Sequence, residues 1–398
     1  MGTLLRSLTY KGIPVWRHVQ VIQWTSQIVS GVLVVLLVAW FFANIGNAIQ
    51  DREIPHGFGF LDREYQTPIG QHFLPYDSHD TFLYAFLVAF TNTLIVSIFG
   101  VVLATALGIV VGVARMSGNW IVSKAALVYI EFFRNVPLLI QLFFWFYIVL
   151  ALPPVREGYV VAGQLYLNNG GLSLPWPAAS SLGSTLSWAP LAAAGIFAGV
   201  VAHRWLTDRE LRTGSESYPL LGGVMLAFMI GLVGWVVIGA VFGESPLVIS
   251  VPEPEGAFGR IGGGFTMSGG LMALMAGLVI YTAAYIAEIV RAGIQSVGRG
   301  QRESARALGL SGMTALRYVS FPQAMRVIVP PLISQYLNLT KNSSLAGAIG
   351  YSDLTNVAKT MTQTAPAISI YVMIMAAYLA LSLTYSIIGN LYNRHIRF

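Results

Sequence analysis

The chain of 398 residues has no cysteine, and only 10% of its residues are charged. Without cysteine, a disulfide framework, a zinc–thiolate site and a thiol nucleophile are all excluded. A soluble protein carries about a quarter charged residues, which it needs to cover its surface. The scarcity of charge therefore excludes cytosolic enzymes, coiled coils and disordered proteins.

Several catalytic signatures are also missing. There is no G-x-x-x-x-G-K-[ST] motif, so the chain does not bind ATP in the P-loop manner. The six histidines are not paired at metal-ligand spacing, and neither H-E-x-x-H nor G-x-S-x-G occurs. We therefore expect no catalytic residue, no metal site and no cofactor on this chain.

Long uncharged runs are what the sequence has instead. A helix needs about 20 apolar residues to cross a ~30 Å hydrocarbon core. Eight segments are candidate spans: Ile28–Ala43, Leu87–Val113, 125–152, Trp188–Ala202, Leu220–Phe242, Gly269–Ala287, Val327–Ile349 and Ile368–Leu391. Their apolar residues are continuous rather than alternating, which favours helices over barrel strands. We predict an all-α polytopic membrane protein with about eight transmembrane helices, the first being an uncleaved anchor.

Lysine and arginine placement predicts the orientation of these spans. The net charge is +6, and 16 of the 23 basic residues lie in segments that are inside if both termini are inside. Two more, Arg134 and Lys341, lie within candidate spans. Only five lie in the outside loops: Arg52, Arg63, Arg156, Arg260 and Lys359. Since basic residues accumulate on the cytoplasmic side, the sequence predicts that both termini are inside.

The segment between residues 298 and 322 is predicted to form a short amphipathic helix. Its charged residues recur at helical spacing, with small or apolar residues between them. Glu303 lies near the expected N-terminal end, where the helix dipole favours negative charge. Gly309 is placed to end this helix, a second short helix is predicted over Thr314–Ser320, and Pro322 suits the first turn of the next one.

This segment resembles a known loop. Glu303-x-Ala305, Gly309, nine residues and Val319-x-Phe321-Pro322 are similar to the E-A-A…G-x9-I-x-L-P loop of ABC importer permeases, with Ser304 in place of alanine and Phe321 in place of leucine. In that family the loop is a cytoplasmic coupling helix that lies in a groove of the ATP-binding subunit. The resemblance implies that coupling to an ATPase involves Glu303, Ser304, Ala305, Arg306, Gly309 and Pro322.

Four further segments resemble motifs of polar amino-acid permeases, the histidine/glutamine-type family of ABC importers. Residues 132–141 resemble F-F-R-G-T-P-L-L-V-Q, and residues 284–291 resemble A-Y-x-A-E-I-x-R. Residues 321–324 resemble L-P-Q-A, and residues 341–345 resemble K-D-[ST]-S-L, with Asn342 in place of aspartate. In size and layout the chain is similar to the general L-amino-acid type of this family.

The resemblance implies a permease subunit of an ATP-driven amino-acid importer in a bacterial inner membrane. Its partners would be a second, homologous permease, two ATP-binding subunits that carry ATP and Mg, and a periplasmic amino-acid-binding protein. A stand-alone secondary transporter or channel for small polar solutes is the alternative. That class needs no coupling helix and more often has intramembrane carboxylates or an inverted repeat.

The family core has five spans, so the resemblance also implies a division of the chain. Residues 1–80 would form the anchor helix and an outward loop, and residues 81–152 the first part of the permease core. Residues 153–266 would be an inserted helical pair with outward loops, whose even number of crossings preserves the core topology. Residues 267–398 would complete the core and contain the coupling loop, 298–322.

Charges at or inside the span boundaries are candidate residues of the substrate path, because charge in a membrane faces protein or water. We expect the Lys341 ammonium to bind the substrate carboxylate, with a structural ion pair to Glu288 or snorkelling to a membrane interface as the alternatives. Asn342, Ser343 and Ser344 would add hydrogen bonds to the substrate, or would pack between helices.

Three more residues complete the predicted path: Glu288, Gln141 and Arg134. Pro137 is expected to break the helix beside Arg134. Arg134 is expected to lie near the inner gate, with a lipid-headgroup anchor as the alternative. Pro330 and Pro331 are expected to interrupt the helix before Lys341. Broken helices often frame a transport site, and a simple packing kink is the alternative.

Overall fold

The computed structural model describes residues 9–10, 13–14, 18–213, 217–255 and 260–396. Arg6, Lys11, Arg17 and Arg397, which enter the count of inside charges, lie outside these ranges. Twelve α-helices run through the described residues: α1 (Val19–Asp51), α2 (Phe82–Arg115), α3 (Trp120–Asn135), α4 (Leu138–Leu150), α5 (Leu182–Thr213), α6 (Pro219–Phe242), α7 (Gly269–Gln295), α8 (Arg299–Ala307), α9 (Gly312–Ala315), α10 (Phe321–Asn342), α11 (Leu354–Met361) and α12 (Ala367–Ile396).

Six described helices are long and apolar enough to cross a membrane, namely α1, α2, α5, α6, α7 and α12. The third predicted span is instead the pair α3 and α4, bent by 107°, which gives seven spans if the pair crosses as one. The bend falls where Val136 takes an extended conformation before Pro137, as the residue preceding a proline prefers. Pro137 therefore breaks the helix as predicted.

The predicted span Val327–Ile349 is not one helix either. It corresponds to α10, which ends at Asn342 and continues as a 3₁₀-helix over Ser343–Ile349. The α-helix runs without a break through Pro330 and Pro331, so the prediction that these prolines interrupt it was wrong. The change of helix type comes 11 residues after Pro331, at the segment that contains the candidate substrate residues.

Helix α7 lies at the centre of the described core, and 61% of the residues in its apolar 18-residue stretch are buried. Glycines let neighbouring helices approach its backbone. A Cβ atom at Gly108 of α2 would lie 2.6 Å from the Ile286 Cβ, and one at Gly112 would lie 2.7 Å from the Ala287 carbonyl oxygen. These close approaches make Gly108-x-x-x-Gly112 a packing surface between α2 and α7. Helices α4 and α10 pack on other sides of α7.

The inserted residues contain helices α5 and α6, which pack closely against each other. A Cβ at Gly199 would lie 2.5 Å from the carbonyl oxygen of Gly223, so this contact requires glycine. The all-α prediction omitted short strands, most of them around this pair: β1 (Thr9–Tyr10), β2 (Ile13–Pro14), β3 (Tyr159–Val161), β4 (Leu165–Asn168), β5 (Gly171–Leu174), β6 (Trp176–Ala179), β7 (Leu247–Ser250), β8 (Glu253–Glu255), β9 (Arg260–Gly262) and β10 (Phe265–Ser268).

The largest sheet is antiparallel with the order β10-β5-β4-β3. Phe265 pairs with Leu174, and Ser268 pairs with Gly171 at the start of α7. The other strands form the pairs β1–β2, β6–β7 and β8–β9. The sheet therefore fastens the insertion to the first residue of α7, so the predicted outward loops are ordered rather than irregular.

Residues 53–81, here named the anchored loop, are held on the N-terminal end of α2. Phe60, Tyr65 and Ile69 are between 2% and 6% exposed. The rings of Phe60 and Tyr65 meet Phe82 edge-on, with centroids 5.4 and 5.0 Å away. The same cluster includes residues of α11 and α12. Aromatic side chains thus give this loop a core of its own.

Candidate functional site

The predicted coupling helix is α8, and its C-terminal end is fixed by Gly309. Gly309 adopts a φ of +75°, a left-handed conformation that favours glycine. Its N–H donates to the Arg306 carbonyl at 2.9 Å, and the N–H of Leu310 donates to the Ala305 carbonyl at 3.1 Å. This pair of bonds is a Schellman motif, which satisfies carbonyls that the helix end would leave free.

The side chains of α8 divide as an amphipathic helix requires. Ala305 is buried at 2% exposure, whereas Glu303, Ser304 and Arg306 are exposed. Glu303, however, is the fifth residue of α8, and the first turn contains no acid. Because the dipole acts mainly within the first turn, the predicted stabilisation of Glu303 by the helix N-terminus was wrong. Its side chain is exposed, so it is accessible to another chain.

A direct bond connects α8 to α10. The Gln323 amide donates to the Gln301 Oε1 at 3.3 Å. Between these helices lie α9 and a π-helical turn, Leu316–Ser320, where a single second helix over Thr314–Ser320 was predicted. Pro322 occupies the first turn of α10, as predicted.

Leu308 is a surface residue that sequence reasoning missed. It follows the last residue of α8 and is 79% exposed, beside the capping Gly309. A large apolar side chain that precedes the capping glycine of a polar helix is the signal that could have identified it.

The segment Lys341–Ser344 lies at the junction of α10 and the 3₁₀-helix. The Ser343 hydroxyl is buried and donates to the Thr340 carbonyl at 2.7 Å, and the Ser344 hydroxyl donates to the Lys341 carbonyl at 2.7 Å. Both bonds are local, which favours the packing alternative for these serines. Lys341 is exposed and Asn342 half-buried. Across the described ranges, Lys341 forms no ion pair.

Glu288 has a partner on its own helix. The Arg291 guanidinium is bidentate on its carboxylate, with Nε 3.0 Å from Oε2 and Nη2 on Oε1. Arg291 Nη1 also donates to the Gln295 Oε1. The alternative ion pair between Glu288 and Lys341 is therefore absent from the described structure.

Arg134 and Gln141 both lie at the bend between α3 and α4. Gln141 is 4% exposed, and its amide donates to the carbonyls of Phe133 and Val136 at 3.0 and 2.9 Å. It thus satisfies carbonyls that the bend removes from the helical ladder, while its Oε1 has no partner among the residues that the structure describes. The Arg134 guanidinium lies 5.3 Å from the centre of the Tyr285 ring, a cation–π contact with α7.

The structure therefore brings Arg134 to α7 within one turn of Glu288, but it does not bring Lys341 to Glu288. No group of three or more acidic or histidine side chains that could hold a metal occurs among the residues described. Chemically, the arrangement offers an exposed ammonium where α10 ends and an exposed, rigidly terminated helix where α10 begins.

Comparison with known proteins agrees with these features. Residues 104–398 match the family described as binding-protein-dependent transport system inner membrane component. The permease protein YhdX of Escherichia coli is 41% identical over 397 residues, covering 98% of both chains. The general L-amino acid transport system permease protein AapQ of Rhizobium johnstonii is 40% identical over 369 residues, covering 92% of this chain and 90% of that one.

One solved structure is also similar, a crystal structure of an amino acid ABC transporter with histidines. It is 21% identical, covers 79% of this chain and 95% of its own, and has a TM-score of 0.45. The family match and the membrane-length helices together locate the chain in the inner membrane. The chain belongs to the family of binding-protein-dependent transport system inner membrane components.

Proposed function

We propose that this chain is the transmembrane permease subunit of an ATP-driven importer of amino acids. The observation that carries the proposal is α8, an exposed amphipathic helix whose end is fixed by Gly309 and which is bonded to the start of α10. Such a helix can pass a displacement from a soluble motor to the helical bundle. Relatives that span nearly the whole chain and include an L-amino-acid permease support amino acids as the cargo.

The complex would contain a second, homologous permease, two ATP-binding subunits and a periplasmic amino-acid-binding protein. ATP and Mg would bind to the ATP-binding subunits, since this sequence has no P-loop. The distribution of basic residues supports eight crossings with both termini inside, in which α3 and α4 cross as one pair and α10 with its 3₁₀-helix is a further crossing. The boundaries proposed from the sequence fit this layout: core segments at 81–152 and 267–398, an insertion at 153–266 and the coupling loop at 298–322.

Coupling would run along α10. A displacement of α8 reaches Gln323 through Gln301, and α10 then continues for 19 residues, about 29 Å, to Asn342. A continuous α-helix transmits such a movement because its backbone bonds resist compression. The movement would reach Lys341 at the far end of α10, where the helix type changes. ATP binding on one side could thereby alter access to a substrate site inside the bundle.

Lys341 would bind the α-carboxylate, a group that every amino acid shares. Its ammonium is exposed and without an ion pair in the described part of the chain, so it is available to an anion. An ammonium inside a membrane bundle must face water, protein or substrate rather than lipid. Arg134 and Glu288 would lie nearer the inner end of the path. Ser343, Ser344 and Gln141 would shape it by holding the backbone.

Reconstitution tests this function directly. The chain and its co-purifying subunits would be placed in proteoliposomes with a binding protein outside and ATP inside, and uptake of labelled amino acids would be measured. We expect uptake only with ATP and the binding protein. ATP-independent uptake by the chain alone would instead support a secondary transporter or channel and refute the proposal.

A further inference from the structure

Asn92 is a fully buried amide that joins three distant segments of the chain. It lies on α2 and is 0% exposed. Its Nδ2 donates to the carbonyls of Gln71 and Ser352, both at 2.8 Å, and its Oδ1 accepts from the Phe73 N–H at 3.3 Å. Both ends of one side chain are thus used, and a buried amide this well satisfied holds its partners in a fixed arrangement.

The next residue, Thr93, holds the same neighbouring segment at a second point. Its Oγ1 accepts the N–H of Leu354 at 2.9 Å, and Thr93 is also 0% exposed. Asn92 and Thr93 therefore bond the backbone of Ser352 and of Leu354, the residues on either side of Asp353. Asp353 is the N-cap of α11 and accepts the N–H groups of Thr355 and Asn356.

Gln71 extends these contacts to α7. Its Nε2 donates to the Thr266 carbonyl at 3.1 Å, and its Oε1 accepts the Ser268 N–H at 2.8 Å. Ser268 is itself the N-cap of α7. We name Gln71, Asn92, Thr93 and Ser352 the polar junction. Through it, the anchored loop is fastened to α2, to the start of α7 and to the segment before α11.

The junction is close along the chain to the candidate substrate segment. Only Gly350 and Tyr351 separate Ser352 from the 3₁₀-helix, Ser343–Ile349, which begins directly after Lys341 and Asn342. A displacement of the anchored loop would therefore reach this segment through buried hydrogen bonds. None of the four residues of the polar junction belongs to a motif that the sequence analysis identified.

We propose that the polar junction is a rigid hydrogen-bonded connection between the anchored loop and the segment that follows Lys341. Docking of the binding protein on the anchored loop is transmitted through it, and Asn92 is its main positioning residue. This proposal rests on the proposed function, since it requires a binding protein and a coupled ATPase. It assigns to the anchored loop a part in activation rather than a purely structural one.

Isosteric variants of α2 test the role of the polar junction in the assembled complex. In Asn92→Leu and Thr93→Val, stimulation of ATP hydrolysis by loaded binding protein should fall at least about fivefold, the low end of coupling between sites, while basal hydrolysis is unchanged. Thr91→Val is the matched control, because the bond of the Thr91 hydroxyl within the described ranges goes to the Leu87 carbonyl of its own helix. It should retain full stimulation.

A reversible tether separates transmission from stability. A Cβ at Gly70 would lie 3.8 Å from the Ser352 Oγ, so a Gly70→Cys/Ser352→Cys pair brings two thiols close together, and the chain has no native cysteine that could pair with them instead. Added to Asn92→Leu, the oxidised tether should restore stimulation, and reduction should abolish it again.

Three results would overturn the proposal. These are full stimulation in both Asn92→Leu and Thr93→Val, an equal loss of basal and stimulated hydrolysis in both, and a disulfide that forms without restoring stimulation. The first two would leave the junction merely structural. An absence of ATP hydrolysis in the wild-type complex would instead contradict the proposed function itself, and with it this proposal.

Discussion

At the scale of single residues, the charged side chains of the bundle differ in whether they already have a partner within the chain. Glu288 is paired with Arg291 on the same helix, and Arg134 lies over the Tyr285 ring. Lys341 is exposed and has no ion pair among the residues that the structure describes. Removing the Lys341 charge therefore leaves no described partner unpaired. Its loss should weaken substrate binding rather than folding.

We predict that Lys341→Met lowers affinity at the membrane site by about ten- to a hundredfold, since a charge-assisted hydrogen bond contributes about 1.5–3 kcal/mol. The effect should be similar for acidic and neutral amino acids, because the α-carboxylate is common to both. Uptake kinetics in proteoliposomes measure it, with Lys359→Met on α11 as the control. A loss confined to one class of side chain would contradict this role.

A second residue-scale prediction concerns pH. Burial raises the pKa of Asp353 to about 7, although two backbone N–H groups donate to its carboxylate. The folded pKa lies above the unfolded value, about 3.9, so the folded state binds more protons between these values. The contribution of Asp353 to stability is thus greatest at low pH and declines as pH rises towards 7.

Asp353→Asn retains an N-cap acceptor but cannot ionise. The unfolding temperature of the variant, relative to the parent, should therefore rise between about pH 5 and pH 8, since each unit of pKa shift corresponds to about 1.4 kcal/mol. Thermal unfolding in detergent across this range measures the difference. Parallel curves for the two proteins would show that Asp353 does not titrate in the fold.

At the scale of elements, the function assigned to α8 depends on a rigid end rather than on helix stability. Gly309 has open space around it, so its requirement is one of backbone conformation and not of packing. A left-handed conformation costs a residue with a side chain about 1–2 kcal/mol. The α3–α4 bend illustrates a different device, in which Gln141 replaces lost backbone bonds with its amide.

We predict that Gly309→Val abolishes coupled transport and stimulated ATP hydrolysis while membrane insertion remains normal. Gly300→Val is the matched control, because Gly300 lies in the first turn of α8, also has open space and has an ordinary helical backbone. Replacing glycine by valine at this position should change the stability of α8 only slightly. Equal activity of the two variants would indicate that the cap does not position the coupling surface.

At the scale of the whole molecule, features encoded locally were predictable. Long apolar runs marked six membrane-length helices, and Gly309, Pro322 and Pro137 marked helix ends or a break. Contacts between distant residues were not predictable. The sequence alone could not pair Asn92 with Ser352, or Phe60 with Phe82, because nothing local indicates which buried groups will meet.

Two errors have specific physical causes. Pro330 and Pro331 lie within α10 without ending it. The presence of prolines in a sequence therefore did not by itself predict where a helix ends. Glu288 was considered as a partner for Lys341, yet Arg291, three residues away on the same helix face, is nearer in space. The roles of the substrate-path and coupling residues remain predictions.

The central claim is that the end of α8 contacts a separate ATP-binding subunit, and the absence of native cysteine permits a direct measurement. A photo-crosslinker attached to Leu308→Cys in the assembled, transport-active complex should join this chain to the ATP-binding subunit, as identified by mass spectrometry. Leu211→Cys on α5 is the control, since Leu211 and Leu308 are both 79% exposed. We predict an adduct at position 308 and none at 211. No adduct at 308, or an equal yield at both positions, would contradict the account.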